Sequence, residues 1–259
     1  MVLPPEIDAE TGEPLESGPS GDTEQSLLSH LVELRQRMLA SALAILVIFL
    51  CLTPFADNIY TFLAQPLIDK LEGGASMIAT EVAAPFLAPF KLTLFTAIFI
   101  CAPFLFYQIW AFVAPGLYTH ERRLVLPLLA SSTVLFYLGI VFAYTAVFPL
   151  IFAFFTAVAP EGVTVMTDIS RYLDFVLKIF LAFGMAFEVP IATFLLVRTG
   201  ITTREALASK RPYVIVGAFA AGMLLTPPDI VSQILLAVPI WLLFEVGLIM
   251  TRIAAAPES

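Results

Sequence analysis

FVLKIFLAFGMAFEVPIATFLLV, residues 175–197, is an apolar run of about two dozen residues with Glu188 near its middle. A carboxylate in a stretch of this kind costs at least ~2.5 kcal/mol on insertion scales, so its presence needs a reason. The candidates are a proton relay, an ion site, a buried structural pair or a docking point for a partner helix. Pro190, two positions on, cannot donate a backbone hydrogen bond and so releases the carbonyl of Ala186, one turn back. Carboxyl and free carbonyl together make a polar notch. The bland alternative is a buried acid that is simply protonated.

Outward from this run the same composition continues. Of the 259 residues 59% are hydrophobic and only 13% charged, with a mean hydropathy of +0.94. That is far from the quarter of charged residues usual in soluble domains, and it predicts an all-α polytopic membrane protein. Six apolar stretches are spans at about 38–55, 92–112, 124–148, 175–197, 213–225 and 230–250. The fifth is short: its 13 residues cover about 20 Å against a hydrocarbon core of about 30 Å.

Lys and Arg set the orientation. The segments before the first span, between the second and third, between the fourth and fifth, and after the sixth hold Arg35, Arg37, Arg122, Arg123, Arg198, Arg204, Lys210, Arg211 and Arg252. The other side and the span edges hold Lys70, Lys91, Arg171 and Lys178. Both termini are therefore expected in the cytoplasm. The net charge of −8 is concentrated in residues 1–25, which carry seven acids and no base. This leader reads as a disordered acidic tail, and it lacks the basic start and apolar centre of a signal peptide.

Residues 22–37 form a candidate amphipathic helix, with Leu27, Leu31, Leu34 and Met38 at helical spacing and Asp22 as a possible N-cap. Within it Glu33 and Arg37 are four apart, the spacing of a helix-surface ion pair. Between spans two and three stands Tyr118-Thr119-His120-Glu121-Arg122-Arg123. Glu121 can pair with a neighbouring Arg in the ordinary way. Topology nevertheless places it on the same membrane face as Glu33, where two separated carboxylates can each accept a guanidinium from a basic peptide.

On the opposite side the loops at about 56–85 and 149–171 are expected to fold back as short helices and cap the spans. The turn Thr226-Pro227-Pro228-Asp229 follows the short fifth span and should lie within the hydrocarbon zone. On the same depth ruler Glu188, Thr226 and Gln233 fall in one polar zone if their helices adjoin. Gly217 and Gly222 suit close helix packing. Glu245 can snorkel or pair near the cytoplasmic surface, and it and Lys91 are read as structural. Cys51 and Cys101 are read as small buried hydrophobes. There is no zinc-binding HExxH, no phosphate-binding GxxxxGK[ST], no GxSxG, no facing aspartate pair and no inverted repeat, so neither an enzyme nor a cofactor is expected.

Taken together, Ser29-His30-Leu31-Val32-Glu33-Leu34-Arg35-Gln36-Arg37, the Tyr118–Arg123 loop, Phe187-Glu188-Val189-Pro190 and Leu224-Leu225-Thr226-Pro227-Pro228-Asp229, in order with six spans, resemble the TatC family of the twin-arginine protein translocase over about residues 26–252. The resemblance implies a cupped fold with short fifth and sixth helices and both termini cytoplasmic, in the bacterial cytoplasmic (inner) membrane. It implies a receptor for twin-arginine signal peptides of folded precursors, working with TatA and TatB in an oligomeric complex under the proton motive force.

By the same resemblance Glu33 and Glu121 read the paired arginines and Arg35 organises their site. Pro66 and Phe112 fall on positions tied to function. Glu188 is the intramembrane polar residue, Met223, Thr226 and Gln233 match the partner-docking region, and Asp229 is the acid of the last outer loop. No role carries over to residues 1–25 or to the tail at 253–259. The alternative from another class is a proton-coupled small-solute carrier titrating at Glu188.

Overall fold

The computed structural model describes residues 19–68, 78–113, 125–158, 168–225 and 230–254. These residues form ten α-helices: α1 Pro19–Leu52, α2 Ala56–Ile68, α3 Ala84–Val113, α4 Val125–Phe142, α5 Phe148–Val158, α6 Ile169–Ala186, α7 Val189–Arg198, α8 Arg204–Ser209, α9 Arg211–Leu225 and α10 Ile230–Ala254. Among the described residues five stretches are long and apolar enough to cross a membrane: Leu31–Leu63, Ala84–Phe112, Leu126–Phe154, Ile169–Arg198 and Ile230–Arg252. The helix Arg211–Leu225 is apolar but shorter. The chain divides into two compact units, Met1–Leu43 and Ala44–Ser259.

Several bounds differ from the sequence reading, each for a local reason. The expected amphipathic helix and the start of the first span form one element, because α1 runs unbroken from Pro19 to Leu52. Nothing from Gln36 to Leu43 breaks a helix, and Arg, Met, Leu and Ala are strong helix formers. The helix starts at Pro19, three residues before the expected Asp22. The sixth helix is not short: α10 has 25 residues, and its apolar run tolerates Pro239 internally. Cys101 is buried as expected, but Cys51 lies on an exposed helix face.

Prolines shape the spans through the carbonyls they leave unbonded. Pro103, inside α3, withdraws the N–H that would bond the carbonyl of Phe99, and the Tyr137 hydroxyl of α4 donates to that carbonyl at 2.9 Å. Before Pro149 the helix widens into a π turn over Ala143–Val147, where the N–H of Phe148 reaches the carbonyl of Ala143. One extra residue per turn accommodates the proline ring, and the helix continues as α5 to Val158 rather than ending near 148.

The core is centred on α6. Tyr172, Leu173, Val176, Leu177, Ile179, Phe180 and Phe183 are buried against Leu63, Leu92, Val147, Phe148, Ile151 and Leu236. Small residues bring α4 onto this helix: a Cβ on Gly139 would lie 2.4 Å from the carbonyl oxygen of Phe183, and one on Gly184 2.6 Å from the ring of Phe136. Phe148 meets Phe180 edge to face at 5.3 Å, an arrangement that adds to the burial itself.

Candidate functional site

The helix expected over 175–197 breaks at Glu188, between α6 and α7. Phe187 closes α6, and Glu188 occupies the position before α7, with Pro190 in the first turn of the new helix. Proline is preferred there because its missing N–H has no intrahelical partner in any case. The break thus follows from the Glu-Val-Pro sequence itself.

At the break the Glu188 carboxyl is half-buried, and its Oε1 is fully enclosed without a hydrogen-bond partner. Ser132 of α4, 1% exposed, is a polar neighbour of the carboxyl group. Sequence reasoning did not single out Ser132. Its only signal was a hydroxyl inside an apolar run, which is also met by bonding the carbonyl four residues back, as Ser131 does to Pro127 at 2.8 Å.

Gln233 belongs elsewhere. It packs on Gly222, where a Cβ would lie 3.5 Å from its Cα and Cγ. Pro190, two residues from Glu188, packs instead on Gly247, which lies fourteen residues, or about 21 Å, farther along α10 than Gln233. No hydrogen bond joins Glu188 to Gln233 among the described residues, so the single polar zone expected for them resolves into two levels of α10. Met223 is largely exposed on α9. Thr226 and Asp229 lie outside the described residues.

Two ion pairs fix the ends of these helices. Arg211, opening α9, makes a fork to Glu245 of α10 through Nε to Oε1 at 2.6 Å and Nη2 to Oε2 at 2.8 Å. Arg204 adds a bond from Nε to the carbonyl of Leu248 at 3.4 Å. Glu245 therefore pairs as expected, with Arg211. At the start of α6, Asp168 caps the helix, accepting from the N–H groups of Ser170 and Arg171 at 3.0 Å each. Its other oxygen accepts from the N–H and hydroxyl of Thr80, at 3.0 and 2.6 Å. These bonds hold its carboxyl at about 2, below the ordinary 3.8. Lys91 pairs with Asp174, a structural role as expected.

In the N-terminal unit Glu33 accepts two bonds from Arg37, from Nε at 3.0 Å and Nη2 at 2.6 Å, both on Oε1. Arg35 is exposed. Glu121 lies outside the described residues. Pro66 falls within α2, and Phe112 is half-buried in the last turn of α3. Among the described residues no three His, Cys, Asp or Glu side chains group as metal ligands would.

A family model described as Sec-independent protein translocase protein (TatC) matches residues 29–239. A relative from Haemophilus influenzae, the Sec-independent protein translocase protein TatC, is 59% identical over 89% of this chain and 90% of its own. The protein of the same name from Escherichia coli K12 is 57% identical over 88% of each. A crystal structure of the twin-arginine translocase receptor TatC superposes with a TM-score of 0.78 at 37% identity, covering 87% of this chain and 99% of that one. The solute-carrier reading of Glu188 finds no support in these likenesses.

Proposed function

The chain belongs to the TatC family of Sec-independent protein translocase proteins, and on that premise we propose that it is a non-enzymatic receptor for twin-arginine signal peptides. In this reading it lies in the cytoplasmic membrane with both termini in the cytoplasm. It binds the signal peptides of folded precursors and, in an oligomeric complex with TatB and TatA, supports their export under the proton motive force.

One observation carries the reading. The family match begins at Ser29 and so takes in Glu33 and Arg35 as well as Glu121. The chemistry of Glu33 agrees with it. Both bonds from Arg37 fall on Oε1, which leaves Oε2 to an incoming guanidinium. A helix-surface pair of this kind is worth only about 0.3–0.5 kcal/mol. A bidentate arginine from a peptide can therefore displace it, since a charge-assisted fork is the stronger interaction.

In the same reading Glu188 is the intramembrane polar residue, and Met223, Thr226 and Gln233 belong to the docking region for TatA and TatB. Pro66, Phe112 and Asp229 act at positions tied to function. Charge reversal tests the proposal: with Glu33→Lys and Glu121→Lys, photo-cross-linking of a twin-arginine signal peptide is lost while the protein stays in the membrane. Undiminished cross-linking would remove both acids from the site.

A further inference from the structure

Arg171, Asp174, Lys178, Leu181 and Met185 recur at intervals of three and four, so they form one stripe along α6. This is the face of α6 turned away from the core: Tyr172, Leu173, Val176, Leu177, Ile179, Phe180 and Phe183 are buried on the other. The stripe changes character along its length. Its first half is charged, and its second is aliphatic and exposed, Leu181 at 39% and Met185 at 55%. Lys91 of α3 bonds Asp174 across the helix pair and sets a second exposed side chain, Leu94, one turn farther along α3. The exposed faces of α3 and α6 thus meet at the Lys91–Asp174 pair, with basic groups at one end and aliphatic side chains beyond.

The charges do not balance. Asp174 is taken by Lys91, and neither Arg171 nor Lys178 has an ionic partner among the described residues. Lys178 lies nine residues beyond Ile169, about 13 to 14 Å along the helix. Helical side chains lean over the turn on their N-terminal side, so its stem runs back toward Asp174 and Arg171. The ammonium thus rises toward the end of the span, where hydrocarbon gives way to headgroups.

We propose that this exposed face binds an anionic phospholipid of the leaflet at the Asp168 end of α6, its phosphate held by Arg171 and Lys178 and its acyl chains lying along Leu94, Leu181 and Met185. Charge complementarity selects the occupant: two unpaired cations at headgroup level accept a phosphate, Arg171 by a fork and Lys178 as a point charge. The aliphatic continuation below them suits a chain of the same molecule.

The full-length protein in detergent, titrated with phosphatidylglycerol and with phosphatidylcholine of matched chains and read by native mass spectrometry, provides the test. The unsubstituted protein retains phosphatidylglycerol preferentially. Lys178→Leu and Arg171→Gln each weaken that retention about fivefold, the effect of one basic side chain at an anionic surface, and the double variant weakens it further than either alone. Lys178→Arg retains it. Phosphatidylcholine binding is the same throughout. Equal retention of the two lipids, or undiminished phosphatidylglycerol binding in a folded Arg171→Gln variant, overturns the proposal. So does a Lys178→Leu variant that keeps the lipid and instead loses a co-purifying acidic helix. Arg171→Gln, a change on an exposed side chain, carries the test if Lys178→Leu does not fold.

Discussion

Thr80 and Asp168 join parts of the chain 88 residues apart, the Thr80 hydroxyl donating to Asp168 Oδ2 at 2.6 Å and its N–H at 3.0 Å. The same carboxylate caps α6, and beside it the N–H of Ile169 bonds the carbonyl of Ile78 at 2.9 Å. One acid thus starts a helix and clasps the segment before α3 to it. Its carboxyl stands at about 2 in the fold against an ordinary 3.8. A depressed value means that the charged form stabilises the clasp above about pH 4, and that this contribution is lost as the pH falls toward 2. Hydrogen-exchange protection of the Ile169 amide is therefore expected to hold between pH 8 and 5 and to drop between about pH 4 and 2. Asp168→Asn, which no longer titrates, should show no such step; a step of equal size in the variant would assign it to another group.

Gly247 permits a close approach between α10 and α7. A Cβ there would fall 1.9 Å from Thr193 Oγ1 and 3.0 Å from the Cα of Pro190. The hydroxyl cannot simply swing aside without giving up its bond to the carbonyl of Pro190 at 2.8 Å. Gly247→Ala should therefore destabilise by roughly 1–3 kcal/mol, the usual cost of overpacking a tight contact. Adding Thr193→Ala should recover part of the loss, because it removes the nearest atom. Thermal unfolding in detergent reads both; a Gly247→Ala variant as stable as the parent would show that the helices separate freely.

The sequence made the spans visible because an apolar run long enough for a bilayer has few other uses, and it made the breaks visible where a proline removes a donor. Pro190 ends α6 for a reason confined to three residues. The partners of polar groups were less legible. The N-cap at Asp168 had a local signature in an acid before an apolar run, but its pairing with Thr80 did not. Nothing in the spacing of Glu188 pointed to Ser132. The shared zone expected for Glu188 and Gln233 came from depths measured on separate helices. The contacts of Pro190 and Thr193 with Gly247 fix the register between those helices and set the two residues at different levels.

Tyr137 meets the carbonyl that Pro103 leaves open at Phe99, so its hydroxyl and that proline are coupled. Tyr137→Phe should cost about 0.6 kcal/mol, the average for a side-chain hydrogen bond inside a membrane protein. In a Pro103→Ala background the new amide N–H serves the Phe99 carbonyl, and the same change should cost almost nothing. A double-mutant cycle on unfolding free energies measures the difference. Equal costs in both backgrounds would mean that the Tyr137 hydroxyl contributes independently of the carbonyl that Pro103 leaves open.

Gly247, on which Pro190 beside Glu188 packs, and Gln233 stand about 21 Å apart along α10, a distance at which substitutions without shared partners act independently. Under the proposed function each affects assembly with TatB and TatA, but through different contacts: Glu188 through the break between α6 and α7, Gln233 through the α9 edge beside Gly222. Glu188→Ala is expected to lower the amount of partner recovered on co-purification while leaving signal-peptide cross-linking at Glu33 intact. Glu188→Gln should fall between parent and Ala, since an amide oxygen can still accept from Ser132. Combining Glu188→Ala with Gln233→Leu should multiply the two losses rather than merge them. A double variant no worse than either single one would return both residues to a common site, and loss of signal-peptide cross-linking with assembly unchanged would move Glu188 into the recognition of the peptide itself.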